Sequence, residues 1–104
     1  MPIVIAEISI VPLGTTTPSL SHFVANVEKV LEDFKNIKSL LTPMGTVLEG
    51  ELDEILAAVR KMHETPFLNG AQRVSTRISI DDRRDKTLSM TQKIEAVKSK
   101  LTNQ

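Results

Sequence analysis

From Ile3 to Val11 the chain alternates with a period of two: Val4, Ala6, Ile8 and Ile10 make one wholly apolar side, and Ile3, Ile5, Glu7, Ser9 and Val11 a mixed one. That period belongs to a strand, whose successive side chains point to opposite faces. The apolar side predicts a face packed on a core. The other, with Glu7 and Ser9 in its middle, predicts a face that is partly solvated or turned toward something polar. Pro12 cannot donate to a ladder and is expected to end the strand.

After the loop L-G-T-T-T-P-S the period lengthens. Leu20, Phe23, Val24, Val27, Val30, Leu31 and Phe34 recur at three- and four-residue intervals, which predicts a helix up to about Phe34. Asn26, Glu28, Lys29, Glu32 and Asp33 are left for its outer face. Thr17 or Ser19 can cap the helix, and Pro18 suits a first helical position. Next come Ile37–Thr42 and Thr46–Glu49 with Pro43 and Gly45 between them, the pattern of a hairpin. The acids Glu49, Glu51, Asp53 and Glu54 then cluster where a second helix starts, at the positive end of its dipole. That helix carries Ile55, Leu56, Val59, Met62 and His63 on one side and is expected to stop before Pro66.

Between Gln72 and Asp81 the alternation returns, with Val74, Thr76, Ile78 and Ile80 on one side and Arg73, Ser75, Arg77, Ser79 and Asp81 on the other. A charged turn, D-D-R-R-D-K, leads to a last helix from about Thr87 to Leu101. Its apolar line is Leu88, Ile94, Val97 and Leu101, and Ser89 with Gln92 can form a capping box. The order strand, helix, strand, strand, helix, strand predicts an α+β, ferredoxin-like βαββαβ sandwich: a four-stranded antiparallel sheet with both helices on one face, plus a C-terminal helix. Glu7, Ser9, Arg73, Ser75, Arg77 and Ser79 would then share the open face.

With 104 residues the chain is read as one domain spanning 1–104. Its aromatics are three Phe, so Ile, Leu and Val must build the core, and a core this small gains by self-association. Thirteen basic and thirteen acidic residues cancel, and no basic run is interleaved with aromatics, which argues against nucleic acid as a partner. The absence of cysteine excludes disulfides and thiolate chemistry and fits a reducing compartment. The N-terminal apolar stretch is short, lacks a basic flank and meets Glu7 and Pro12. It is therefore read as neither a signal peptide nor a membrane span, and a cytoplasmic location is expected.

Motifs for catalysis fail one by one. His63-Glu64 begins like a zinc-protease signature but the second His is missing, so no metal is expected and His63 reads as a half-buried helix residue needing one hydrogen-bond partner. The four glycines are isolated, so no phosphate or dinucleotide loop occurs. Gly14-Thr15 and Gly45-Thr46 read first as turn chemistry, with Gly supplying positive φ. For Glu49 two readings stand: an acid at a helix N-terminus, or an acceptor of paired hydrogen bonds from a ligand's amino and ring N–H groups. Arg73 and Arg77 could hold an anion, or be solvated, or pair with acids such as Glu7.

V-P-L-G-T after the first strand, L-T-P-M-G-T-V-L-E-G in the hairpin, the H-E of the second helix and R-V-S-T-R-I-S-I-D-D-R-R-D at the last strand together resemble the small thiamine-binding protein family related to YkoF, also called MTH1187-like. The resemblance implies a ferredoxin-like fold, dimers and commonly tetramers, and, in some members, binding of thiamine or its hydroxymethylpyrimidine part. It places the hairpin motif on Thr42, Pro43, Met44, Gly45, Thr46 and Glu49, and the first-strand turn on Pro12, Gly14 and Thr15. A carboxylate and a hydroxyl suit an aminopyrimidine, while Met44 or Leu48 could lie against its flat face. The expected function is thus a cytoplasmic oligomeric carrier or sensor that binds a thiamine-like small molecule at a subunit interface, without catalysis, cofactor, nucleic acid or membrane. Ser9, Gly14, Thr15, Thr42, Met44, Gly45, Thr46 and Glu49 are the candidate ligand contacts. The alternative is a structural or regulatory homo-oligomer with an incidental anion pocket at Arg73 and Arg77.

Overall fold

In a computed structural model, which describes residues 3–14, 20–86 and 89–102, the elements run β1 (Ile3–Leu13), α1 (Ser21–Lys29) continued by a 3-10 turn (Val30–Asp33), β2 (Lys38–Thr42), β3 (Gly45–Glu51), α2 (Leu52–Leu68), β4 (Arg73–Asp81) and α3 (Met90–Thr102). The sheet is antiparallel in the order β2-β3-β1-β4, the ferredoxin-like arrangement that the alternation predicts. The expected caps Thr17 and Ser19, together with Thr15, Pro18, Thr87 and Leu88, lie outside the described residues.

One face of the sheet carries the core. Val4, Ala6, Ile8 and Leu48 from the strands meet Val27 of α1 and Ile55, Ala58, Val59 and Met62 of α2, all buried. The register pairs Glu7 with Ser79 and Ser9 with Arg77, so the polar side of β1 and the Arg73–Asp81 side of β4 do share the opposite face.

Several boundaries differ from the sequence reading, each for a physical reason. Pro12 does not end β1; it sits within the strand opposite Val74. Pairing with β3 stops at Ile8, so among the described strands only β4 flanks this stretch, and a proline is accommodated where one side of the strand has no such ladder to break. Likewise Pro66 lies inside α2 rather than beyond it. In the last turn it removes a single helical hydrogen bond, and its complete burial against the core offsets that loss. On α2 the buried line is Ile55, Ala58, Val59, Met62 and Pro66, while Leu56 is exposed. β4 is an edge strand, and its Ile78 and Ile80 stay about two-fifths exposed. His63 behaves as read: half-buried on α2, its Nδ1 lies 2.6 Å from Thr76 Oγ1.

The reciprocal capping box of α3 forms. The Ser89 amide donates to Gln92 Oε1 at 2.8 Å and the Gln92 amide to Ser89 Oγ at 3.1 Å. Beyond that start no residue of α3 is buried, and Ile94, Val97 and Leu101 are exposed. In the turn before it Arg83 pairs with Asp85 and Arg84 with Asp82, hydrogen bonds that hold both carboxyls below their ordinary range. Both pairs lie at the surface, so solvent screens what they contribute.

Candidate functional site

The difference in strand length makes the site. β1 has eleven residues and β3 seven, so Ser9–Leu13 run past the end of the hairpin with β4 on one side and, among the described residues, no strand on the other. Into that notch opens a cavity of about 800 Å³. Its floor is Ile8–Val11 of β1, one wall is the hairpin tip Leu41–Thr46, the other is Leu20, α1 through Lys29 and Glu32 of the 3-10 turn, and Met62 of α2 closes the bottom. The lining is mostly aliphatic with a few polar groups, and the size is that of small-molecule sites.

The hairpin tip is held by its own side chains. Thr42 Oγ1 donates to the Gly45 carbonyl at 2.8 Å and accepts the Met44 amide at 3.3 Å, which fixes the Pro43-Met44 turn without any left-handed residue. Gly45 therefore does not supply positive φ, as turn chemistry would have it. It is required by close approach, because a Cβ there would lie 2.7 Å from the main-chain oxygen of Ile8. Gly14 does take positive φ, +76°, where the chain leaves β1.

Five candidate residues line this cavity: Ser9, Thr42, Met44, Gly45 and Thr46. Ser9 lies on the Glu7 side of β1, so main chain is what it presents to the cavity. Met44 is 83% exposed, a flexible thioether at the mouth. Thr46 pairs with Ile8 on the core side and is buried; its hydroxyl donates to Glu28 Oε1 at 3.0 Å. The other oxygen, Glu28 Oε2, is shielded from solvent and has no hydrogen-bond partner.

Glu28 is the residue the sequence reading missed, since it was assigned to the outer face of the helix. A signal was present: Val24 precedes it by four positions and Leu31 follows by three, which puts Glu28 on the edge of the apolar stripe.

Glu49 does not join Thr46. It pairs with Ile5 on the opposite face, where its buried carboxylate accepts the Met90 amide at 2.8 Å and lies 3.8 Å from Lys38 Nζ. It is an acid at a helix N-terminus, but that helix is α3, forty-one residues later, rather than α2, whose first turn holds Asp53 and Glu54. Gly14 lies outside the cavity lining, and Thr15 outside the described residues. Arg73 and Arg77 are exposed on edge strand β4 across from Leu13 and Ser9. Four strand residues apart, their Cα atoms are separated by about 13 Å, too wide for one small anion to meet both without the side chains converging. No group of metal-ligating side chains occurs among the described residues. No described helix is long and apolar enough to cross a membrane.

A family model described as thiamine-binding protein matches residues 6–98. The chain is 49% identical over 100 residues to the UPF0045 protein YqgV of Bacillus subtilis, covering 93% of this chain and 96% of that one. It is 42% identical over 97 residues to a UPF0045 protein of Methanothermobacter thermautotrophicus, 92% of this chain and 97% of that one. The crystal structure of MJ1052 from Methanocaldococcus jannaschii superposes with a TM-score of 0.84 at 40% identity, covering 93% of this chain and 97% of that one.

Proposed function

This chain belongs to the thiamine-binding protein family, and from that premise we propose that it binds thiamine or a related hydroxymethylpyrimidine in the notch between β1, the hairpin tip and α1, as a carrier or sensor rather than a catalyst. The observation that carries the reading is the coincidence of the cavity with the hairpin motif: Thr42, Met44, Gly45 and Thr46 all line it. A flat heterocycle fits between largely aliphatic walls, with Met44 adapting to its face and the main chain beyond Ile8, which β3 does not pair, offering further hydrogen-bonding groups.

Calorimetric titration with thiamine and with hydroxymethylpyrimidine tests this. Micromolar affinity is the expected result, on the order typical of small metabolite sites, at one ligand per chain for a cavity whose described lining comes from one chain. Val24→Trp, which fills the cavity from an exposed helix position, should abolish the heat. Glu49→Gln, on the far face, should leave affinity within about twofold, less than the loss of one hydrogen bond to a charged group. Silence of the wild-type protein with both ligands, or undiminished binding by the Val24→Trp protein, would sink the assignment.

The same reading includes self-association in a cytoplasmic setting. Supporting it, Ile94, Val97 and Leu101 are 49–62% exposed along one side of α3, and the chain extends 49 Å along its longest axis. A second copy laid against that helix would cover the stripe. The double variant Ile94→Glu, Val97→Glu should reduce the mass in solution to that of one chain, and an unchanged mass would count against α3 as the contact.

A further inference from the structure

Glu28 is the group in the cavity whose hydrogen bonding is incomplete. Its Oε1 takes the Thr46 hydroxyl proton, while Oε2 is closed off from water and receives none. An ionised carboxylate can only accept hydrogen bonds, and a buried acceptor without a donor carries its full desolvation penalty. Among the described residues no cation pairs with Glu28; the exposed Lys29 also borders the cavity but forms no ion pair with it. Thr46 has committed its only proton to Glu28, so its oxygen too has acceptor capacity alone to offer. Within the cavity wall the Glu28–Thr46 pair is therefore an acceptor-only patch. The partner it lacks is a donor.

We infer that Glu28 sets the specificity of this cavity, selecting a flat ligand edge that carries two adjacent N–H donors, such as an amino group beside a protonated ring nitrogen or an amidinium, over the same edge bearing an oxo group. The inference rests on the cavity being the binding site proposed above and adds what that site reads. A donor edge gives the Glu28 carboxylate, once it turns toward the cavity, two N–H groups; an oxo edge gives it one ring N–H and sets its own oxygen against the existing acceptors. A site built to hydrogen-bond a particular group discriminates strongly against the analogue lacking it, because its own polar atoms are then left unpaired.

The test compares 4-amino-5-hydroxymethyl-2-methylpyrimidine with its 4-oxo counterpart, titrated into the wild-type protein and into Glu28→Gln. The wild-type protein should prefer the amino compound by about ten- to a hundredfold, the range of a hydrogen bond to a charged group. Glu28→Gln should lose that preference or reverse it, because its amide presents a donor to the oxo group. A purely structural role is separated by thermal unfolding without ligand. The amide keeps an oxygen for Thr46 and removes the uncompensated charge, so the Tm of the empty variant should hold or rise by a few degrees. An amino-to-oxo ratio near one in the wild-type protein overturns the inference whatever the variant does. So does an unaltered ratio in Glu28→Gln while Val24→Trp abolishes binding, an outcome that leaves the site itself standing. Absence of binding by either compound overturns both.

Discussion

Leu48→Ala is expected to lower the free energy of unfolding by about 3–4 kcal/mol, the upper part of the range for a fully buried leucine. Leu48 has no exposed surface and sits on a central strand, between Ala6 of β1 and Ser39 of β2. Ala6 and Ser39 are too small to close the hole, and Ile55, Ala58 and Met62 beneath the sheet are held by the helix that carries them. A void there loses both the transfer energy of the removed methyl groups and the contacts of its lining. Domains of this size have about 5–15 kcal/mol in total, so the variant should melt at least about 12 °C lower. Urea unfolding would show the midpoint falling with the slope unchanged. By contrast Leu40→Ala, on the same hairpin but half exposed, should change stability by less than about 1 kcal/mol. Equal losses at the two positions would contradict the placement of the core.

Gly45→Ala is expected to cost about 1–3 kcal/mol and to weaken ligand binding about tenfold or more. The added Cβ would stand 2.7 Å from the Ile8 carbonyl oxygen, main chain that cannot swing aside. Either β1 and β3 separate at their last pair, or the hairpin tip rotates. Both movements disturb the Thr42–Gly45 hydrogen bond and shift Thr46 from Glu28. Gly14→Ala is the control. That position has positive φ but nothing within 4 Å of the new Cβ, so only backbone strain of about 1–2 kcal/mol follows, with no effect on affinity. If Gly45→Ala binds as tightly as the wild-type protein, the hairpin tip is not a wall of the site.

What could be read from the sequence was whatever depends on local period. Alternation along β1 and β4 sorted Glu7, Ser9 and Arg77 onto one face, and the register agrees. The sequence of periods also yielded the sheet order, because right-handed crossovers leave few alternatives. Where an outcome depends on a distant partner, local period is silent. Nothing near Glu49 shows that its carboxylate will meet the Met90 amide of a helix on the other face. Pro12 is compatible with a strand interior only because β3 ends early, and Pro66 with α2 only because the core covers it. Glu28 was misplaced because charge dominates the assignment of a helix face, although its spacing from Val24 and Leu31 placed it beside the stripe. The cavity belongs to no single segment. It exists where three of them fail to fill a gap.

That gap has a simple determinant. The hairpin turns at Pro43-Met44, and its last pair with β1 is Thr46 against Ile8. Lengthening each arm by two residues would carry the ladder on to Ile10, saturate the free edge of β1 and replace the hollow with continuous sheet. Room for a guest is thus governed by a residue count in the hairpin, independently of which side chains line it. A chain of this fold with arms two residues longer would have no vacancy at this edge.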